Sequence, residues 1–385
     1  MVKEENTSKP SLTQAIVIFV VTMMAIFMVA RYISDSSFKD LIDQKVFRIG
    51  VTEESLKSIE IDNSSNVNVY AYDKYIAVLN KNVLKQYNED AEEKYSLDIK
   101  ISMPIVATSG KYMIMAEKGG EKAYLISGEN IVWQKDFDGD ISRVAVNEKG
   151  YTCVILENTT YKSIGVIIDD KGNELFKTFI SSAYSYVIDI SDNSKYVAMG
   201  DVVYSGAIVK STVSIYSVEK AQTDPNNAKI YEYEAEHGSL ILDINYQGDN
   251  AVCLFNNYVQ KVGTASDERL YDISNTDVFI ETNLKSTYAV INRHSSELFS
   301  YEYQVDFRNS RGKSSRNYIL EEEVPSRIVA CGNKVAMIEG STLEIIKSNG
   351  MLVKKFTSDT TINSVVLGDK IAGVIYKNKI FVIEL

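Results

Sequence analysis

The chain has 385 residues, with 41 Lys and Arg against 52 Asp and Glu, a net charge of −11 at pH 7. An acidic chain without a basic stripe is a poor match for nucleic acid, where affinity rests on phosphate contacts. Cys153, Cys253 and Cys331 lie far apart, each in an apolar stretch, so they offer neither a metal signature nor a disulfide framework.

Residues 1–11 form a short polar tail, expected on the cytoplasmic side. An apolar segment follows over 12–33. Between Ala15 and Ala30 only Thr22 is polar. As a helix this segment spans about 33 Å, enough for a bilayer core, and it has no polar stripe to face water. A cleaved signal peptide is the rival reading. The tail mixes Lys3 and Lys9 with Glu4 and Glu5, and Met28-Val29-Ala30 is not a small-x-small cleavage site. The segment therefore reads as an uncleaved single-pass anchor at the plasma membrane. The flanking charges barely discriminate an orientation. The short tail and large C-terminal domain favour the domain outside.

Residues 34–54 read as a stalk or linker. Phe38, Leu41, Ile42 and Val46 fall at helical spacing. From residue 55 to 385 the pattern becomes short apolar-polar alternations separated by turn residues. One unit recurs: a short strand, a polar turn, a strongly apolar strand, then two more strands joined by a Gly or Asn turn. The first strand and turn are seen in VATSGKY (106–112), VAVNEKGY (144–151), IDISDNSKY (188–196) and LDINYQGDN (242–250). The last two strands echo in QKDF (134–137), KTF (177–179) and KKF (354–356).

The second strand of each unit begins at Tyr75, Tyr112, Tyr151, Tyr196, Asn250, Tyr288, Lys334 and Lys370. These eight marks are spaced by about 42 residues on average, the length of a four-stranded propeller blade. The expectation is an all-β chain forming a β-propeller of about eight four-stranded blades after one transmembrane helix. Seven blades is the alternative, if two units merge, and two β-sandwiches rank third. The last unit has only three strands, and Leu56–Ile61 can supply the fourth. That would pair the two ends of the domain and remove an open edge.

The pattern resembles the WD40-like and pyrroloquinoline-quinone-like propeller superfamily. Segments 125–137 and 167–179 resemble its Gly-x-x-x-Trp blade hairpin. The whole chain is similar to an uncharacterised family of single-pass proteins from Gram-positive bacteria. It lacks the Trp-Asp and Gly-His pairs of true WD40 repeats, and Trp133 is its one tryptophan, so the tryptophan docking ring of quinoproteins is missing. The resemblance implies a fold and a membrane address, with little chemistry.

Catalytic signals are sparse. His237 lies in a loop between units and His294 in an expected hairpin turn, and they share no motif. Asp136, Asp138 and Asp140 flank Gly139 as calcium ligands do, but no glutamate stands at the twelfth position. Gly119-Gly120-Glu121 reads as a hairpin turn, because no phosphate-loop Lys-Ser/Thr follows. No cofactor is expected. Residues 200–228 form one long insertion. A second, between Tyr303 and Tyr318, carries Arg308, Arg311, Lys313 and Arg316 and is the candidate partner-binding site. The functional expectation is a membrane-anchored, non-enzymatic propeller that binds a protein or cell-envelope component. The alternative is an extracellular enzyme acting on a sugar polymer or small ligand in the central channel. It requires carboxylates such as Asp189 and Asp243 to meet a histidine at the channel mouth. A cytoplasmic sensor at the inner membrane face is a third reading, and it needs the reverse topology.

Overall fold

The computed structural model describes residues 12–34, 38, 42–43, 46, 49–62, 67–204, 208–297, 300–320 and 324–385. The chain divides into two compact units, Met1–Val51 and Thr52–Leu385. The first holds one continuous helix, α1, Leu12–Ser34. Its 23 residues reach about 34 Å at ~1.5 Å per residue. Apolar side chains from Val17 to Val29 are exposed on every face. The Thr22 hydroxyl is satisfied within the helix, donating to the Ile18 carbonyl at 2.8 Å. By length and composition α1 can cross a membrane. Leu41 and most of the expected stalk helix lie outside the described residues.

The second unit is an eight-bladed β-propeller of antiparallel sheets. The first strands of blades 1 to 8 are Val67–Tyr72, Pro104–Ser109, Asp140–Val146, Tyr184–Ile190, Ile241–Gln247, Asp277–Glu281, Arg327–Cys331 and Ser364–Leu367. Second strands begin at Tyr75, Tyr112, Thr152, Tyr196, Asn250, Thr287, Lys334 and Ile371, each on its expected mark or one residue from it. These strands were legible because neighbouring blades cover both of their faces. In blade 2, for example, Met113 to Ala116 and Ala123 to Ile126 are fully or almost fully buried. A strand sandwiched in this way needs a continuous apolar run.

The core is therefore a set of seams between blades. Ile114, Leu125, Trp133, Val154 and Val166 join blades 2 and 3. Cys153, Ile155, Phe176, Ile188 and Met199 join blades 3 and 4. Gly172 is required at the first seam for two reasons. Its φ of +87° suits glycine, and a Cβ there would lie 3.0 Å from the Trp133 side chain.

Ring closure follows the expectation. Lys57–Glu60 pairs antiparallel with Lys379–Glu384, placing Ser58 opposite Phe381, and becomes the fourth strand of blade 8. Ile59, Ile76, Ile371, Ile380 and Val382 then seal blade 8 against blade 1.

Two expected insertions look different in the structure. Blade 4 lengthens its second and third strands to Tyr196–Val203 and Lys210–Ser217. It then adds a short helix, Val218–Thr223, whose Lys220 amide donates to Ser217 Oγ at 3.3 Å. In blade 6 the long element is the hairpin of Thr287–Glu297 with Ser300–Asn309. The basic segment is the next connection, a tight turn between Ser300–Asn309 and Ser314–Ile319. Its glycine is fixed by crowding: Gly312 has φ +69°, and a Cβ would fall 2.3 Å from the Leu270 carbonyl oxygen.

Candidate functional site

The innermost strands enclose an axial cavity of about 660 Å³, lined by residues in or just after the first strands of all eight blades. Asp189 and Asp243 both line it. Each stands seven residues before the start of its blade's second strand, at Tyr196 and Asn250, so the repeat sets both at one level. Each reaches across a seam to the next blade. Asp189 Oδ2 accepts from the Tyr246 amide at 2.7 Å, and Asp243 Oδ2 accepts from the Thr282 hydroxyl at 2.7 Å.

Amides repeat the device. Asn147 Nδ2 donates to the Ser191 carbonyl at 2.9 Å. Asn245 Nδ2 donates to the Thr282 and Leu284 carbonyls, both at 3.0 Å. These side chains act as clamps between consecutive blades. Burial pushes the Asp189 carboxyl up to about 7, against the lowering effect of its backbone hydrogen bonds. Burial also raises Asp243 and Glu281. An acid in such a site ionises reluctantly because water no longer solvates its charge.

At one mouth of the cavity Glu148, Asp192, Asp369 and Lys285 gather around a smaller opening. Lys285 Nζ lies 2.8 Å from Glu148 Oε1, linking blade 6 to blade 3. The carboxylates that a channel enzyme requires are thus present, but neither histidine is among the lining residues. His237 lies exposed in the loop after blade 4, as expected. His294 is not in a turn: it sits exposed in a strand, opposite Glu302. Asp136, Asp138 and Asp140 are exposed around a turn, and no group of three or more His, Cys, Asp or Glu suited to a metal occurs among the described residues.

The basic turn splits in two. Arg308 is internal: its guanidinium pairs with Asp306 Oδ2 at 3.2 Å, donates to the Gly312 carbonyl at 3.1 Å and lies 4.5 Å from the centre of the Tyr271 ring. Arg311, Lys313 and Arg316 are exposed. Sequence reasoning grouped all four because residue type alone does not distinguish a guanidinium stacked inside a blade from one in water.

It also missed an arc of exposed apolar side chains. Phe179, Tyr184, Tyr186, Leu242, Val278 and Phe279 are between 36% and 54% exposed. All lie where a fourth strand ends or a first strand begins, and therefore on one face of the ring. For Phe179, Leu242, Val278 and Phe279 the sequence signal is a pair of neighbouring apolar residues where the alternation of the strand calls for one; Tyr184 and Tyr186 carry none.

The chain belongs to a family of unknown function, DUF5711, whose model matches residues 51–385. No curated protein matches it significantly in sequence. Among solved structures it is similar to the C-terminal WD40 domain of Sif2, at 11% identity and a TM-score of 0.55, over 86% of this chain and 99% of that one. It is also similar to BamB from Moraxella catarrhalis, at 9% identity and a TM-score of 0.50, again over 86% and 99%. At these identities the likeness carries the fold alone.

Proposed function

We propose that this member of the DUF5711 family is a non-enzymatic scaffold, anchored in the plasma membrane by α1, whose propeller binds a protein or cell-envelope partner outside the cell. The observation that carries the reading is the arc of exposed apolar side chains on one face of blades 3 to 6. Large exposed apolar patches on soluble proteins mark interaction sites, and partner sites commonly combine an apolar centre with a polar rim. The exposed Arg311, Lys313 and Arg316 supply a second, cationic contact for an acidic partner. The channel acids fit a clamping role, since Asp189 and Asp243 already accept hydrogen bonds from the next blade.

Two experiments test this. In intact cells, a cysteine at Ser314, with Cys153, Cys253 and Cys331 replaced, is expected to react with a membrane-impermeant thiol reagent. Labelling only after lysis would put the ring in the cytoplasm and sink the envelope reading. Photo-crosslinkers placed at Leu242 and Phe279 are expected to capture a partner that the same crosslinker at exposed Met351 does not. Equal capture from all three positions would overturn the assignment of the arc.

A further inference from the structure

Two bulged strands on adjacent blades build a small pocket away from the channel. In blade 3 the pairing of the first two strands slips between Ile141 and Arg143, and in blade 4 it slips between Ser185 and Val187. A bulge re-aims the extra side chain. The two displaced residues, Ser142 and Tyr186, line one cavity of about 210 Å³ together with Arg143, Tyr184, Ser185 and Glu157. That volume lies below the several hundred Å³ of a drug-sized site, so it suits a headgroup.

The aromatic wall is set in place by a neighbour. The Tyr204 hydroxyl donates to the Tyr186 hydroxyl at 3.0 Å. The Tyr204 ring stands edge-on to Tyr186 with centroids 6.2 Å apart, and 6.5 Å from Tyr184. One of these rings already attracts a cation: Lys162 Nζ lies 5.0 Å from the centre of Tyr184.

The charges are arranged unusually. Arg143 and Glu157 share the pocket, yet neither forms an ion pair with a described residue. The one hydrogen bond of the Arg143 guanidinium among the described residues is to the Ser142 carbonyl, at 2.8 Å. Opposite charges that share a site without pairing suit a ligand that carries both signs. An aromatic face and a carboxylate hold an ammonium group. A guanidinium holds a carboxylate or phosphate by paired N–H donors.

We propose that this pocket binds a small soluble ammonium compound bearing an anionic group, with the ammonium between the Tyr186 ring and Glu157 and the anion on Arg143. The pocket shares Tyr184 and Tyr186 with the arc, but its ligand is a small soluble compound rather than a macromolecular partner, so it can fail while the scaffold reading stands, and the reverse.

The test is calorimetric titration of the full chain in a maltoside detergent with phosphocholine, choline and inorganic phosphate. Phosphocholine is expected to saturate the site in the millimolar range or tighter, ahead of choline and phosphate. Glu157→Gln and Tyr186→Leu are each expected to weaken both phosphocholine and choline about tenfold, the scale of one cation–π or charge contact. Arg143→Gln is expected to weaken phosphocholine and leave choline unchanged. All three side chains are exposed, and unchanged melting temperatures would show that the variants fold. The proposal is overturned if phosphocholine gives no saturable heat at tens of millimolar, or if its affinity is the same in Glu157→Gln and Arg143→Gln as in the parent chain.

Discussion

Blades 3 to 6 and blades 7, 8, 1 and 2 share one topology but differ at the first strand. In blades 3, 4, 5 and 6 the pairing of the first and second strands slips by a residue, at Ser142, Tyr186, Leu242 and Val278. In blades 7, 8, 1 and 2 the same pairing runs without interruption. A different bulge, between third and fourth strands, occurs in both halves, in blades 1 to 7. That one belongs to the blade. The first-strand bulge belongs to half the ring, and that half also carries the apolar arc, the tyrosine pocket, and Asp189 and Asp243. The regular half closes the ring. In this repeat a local slip in register re-aims single side chains on one face while the apolar seams beneath stay continuous.

The largest effect is expected in the regular half, at the closure. Ile59, only 4% exposed, sits in the seam between blades 8 and 1. Ile59→Asp would bury an unpaired charge and should cost about 3–5 kcal/mol. A melting curve followed by circular dichroism should drop by many degrees. A shift of only a degree or two would mean that the closing strand contributes little.

The next effect lies in the bulged half and depends on pH. The folded-state value of Asp189 is pushed up to about 7, from an ordinary 3.8. The folded state therefore keeps this proton where the unfolded chain has lost it. Stability from this group is highest below about pH 4, declines as pH rises towards 7, and stays at its lowest above that. Asp189→Asn retains an acceptor for the Tyr246 amide and has no proton to lose. Its stabilising effect should be absent near pH 4 and greatest at pH 8, with a ceiling of about 4 kcal/mol at ~1.4 kcal/mol per pKa unit. Melting temperatures across that range would check it, and an equal change at both pH values would contradict the assignment.

Within the basic turn, a structural arginine and solvent-exposed cations are close neighbours in sequence. Arg308→Ala removes a half-buried contact with Asp306 and Tyr271 and should cost about 1–2 kcal/mol, read from denaturant midpoints. Reversing Arg311, Lys313 and Arg316 to Glu together should leave stability within about 0.5 kcal/mol while reducing capture of an acidic partner. The smallest change in stability is expected on the arc. Leu242→Ser and Val278→Ser should leave the melting temperature within a degree or two and abolish crosslinking from Phe279. A large loss of stability in either variant would assign these side chains to the core instead.

Much of the fold was legible in sequence. Tyr75, Tyr112, Tyr196, Asn250 and Lys334 open second strands where the period placed them, because those strands are covered on both faces and must read as apolar runs. Leu56 to Ile61 was recognisable as the closing strand for a related reason: an apolar alternation with no partner near it needed an open edge, and blade 8 had one. The site was far less legible. Asp189 and Asp243 stood out as carboxylates in apolar strands, but their role depends on Tyr246 and Thr282, which lie on the next blade. His294 looked like a turn residue, although the hairpin around it extends well beyond the length of the others. Tyr186 carried no signal, because the bulge that exposes it depends on what lies opposite.

The amino-acid sequence was enough for the apolar helix, the period of about 42 residues, a propeller of eight or seven blades and the strand that closes it. Those features follow from which side chains must leave water, and that is a property of local pattern. Which acids clamp neighbouring blades, which of four basic residues face solvent, and where two displaced residues meet in one pocket emerged with the folded ring. Those outcomes depend on strand register and on contacts between residues 39 to 57 apart in the chain, and composition and spacing do not encode them.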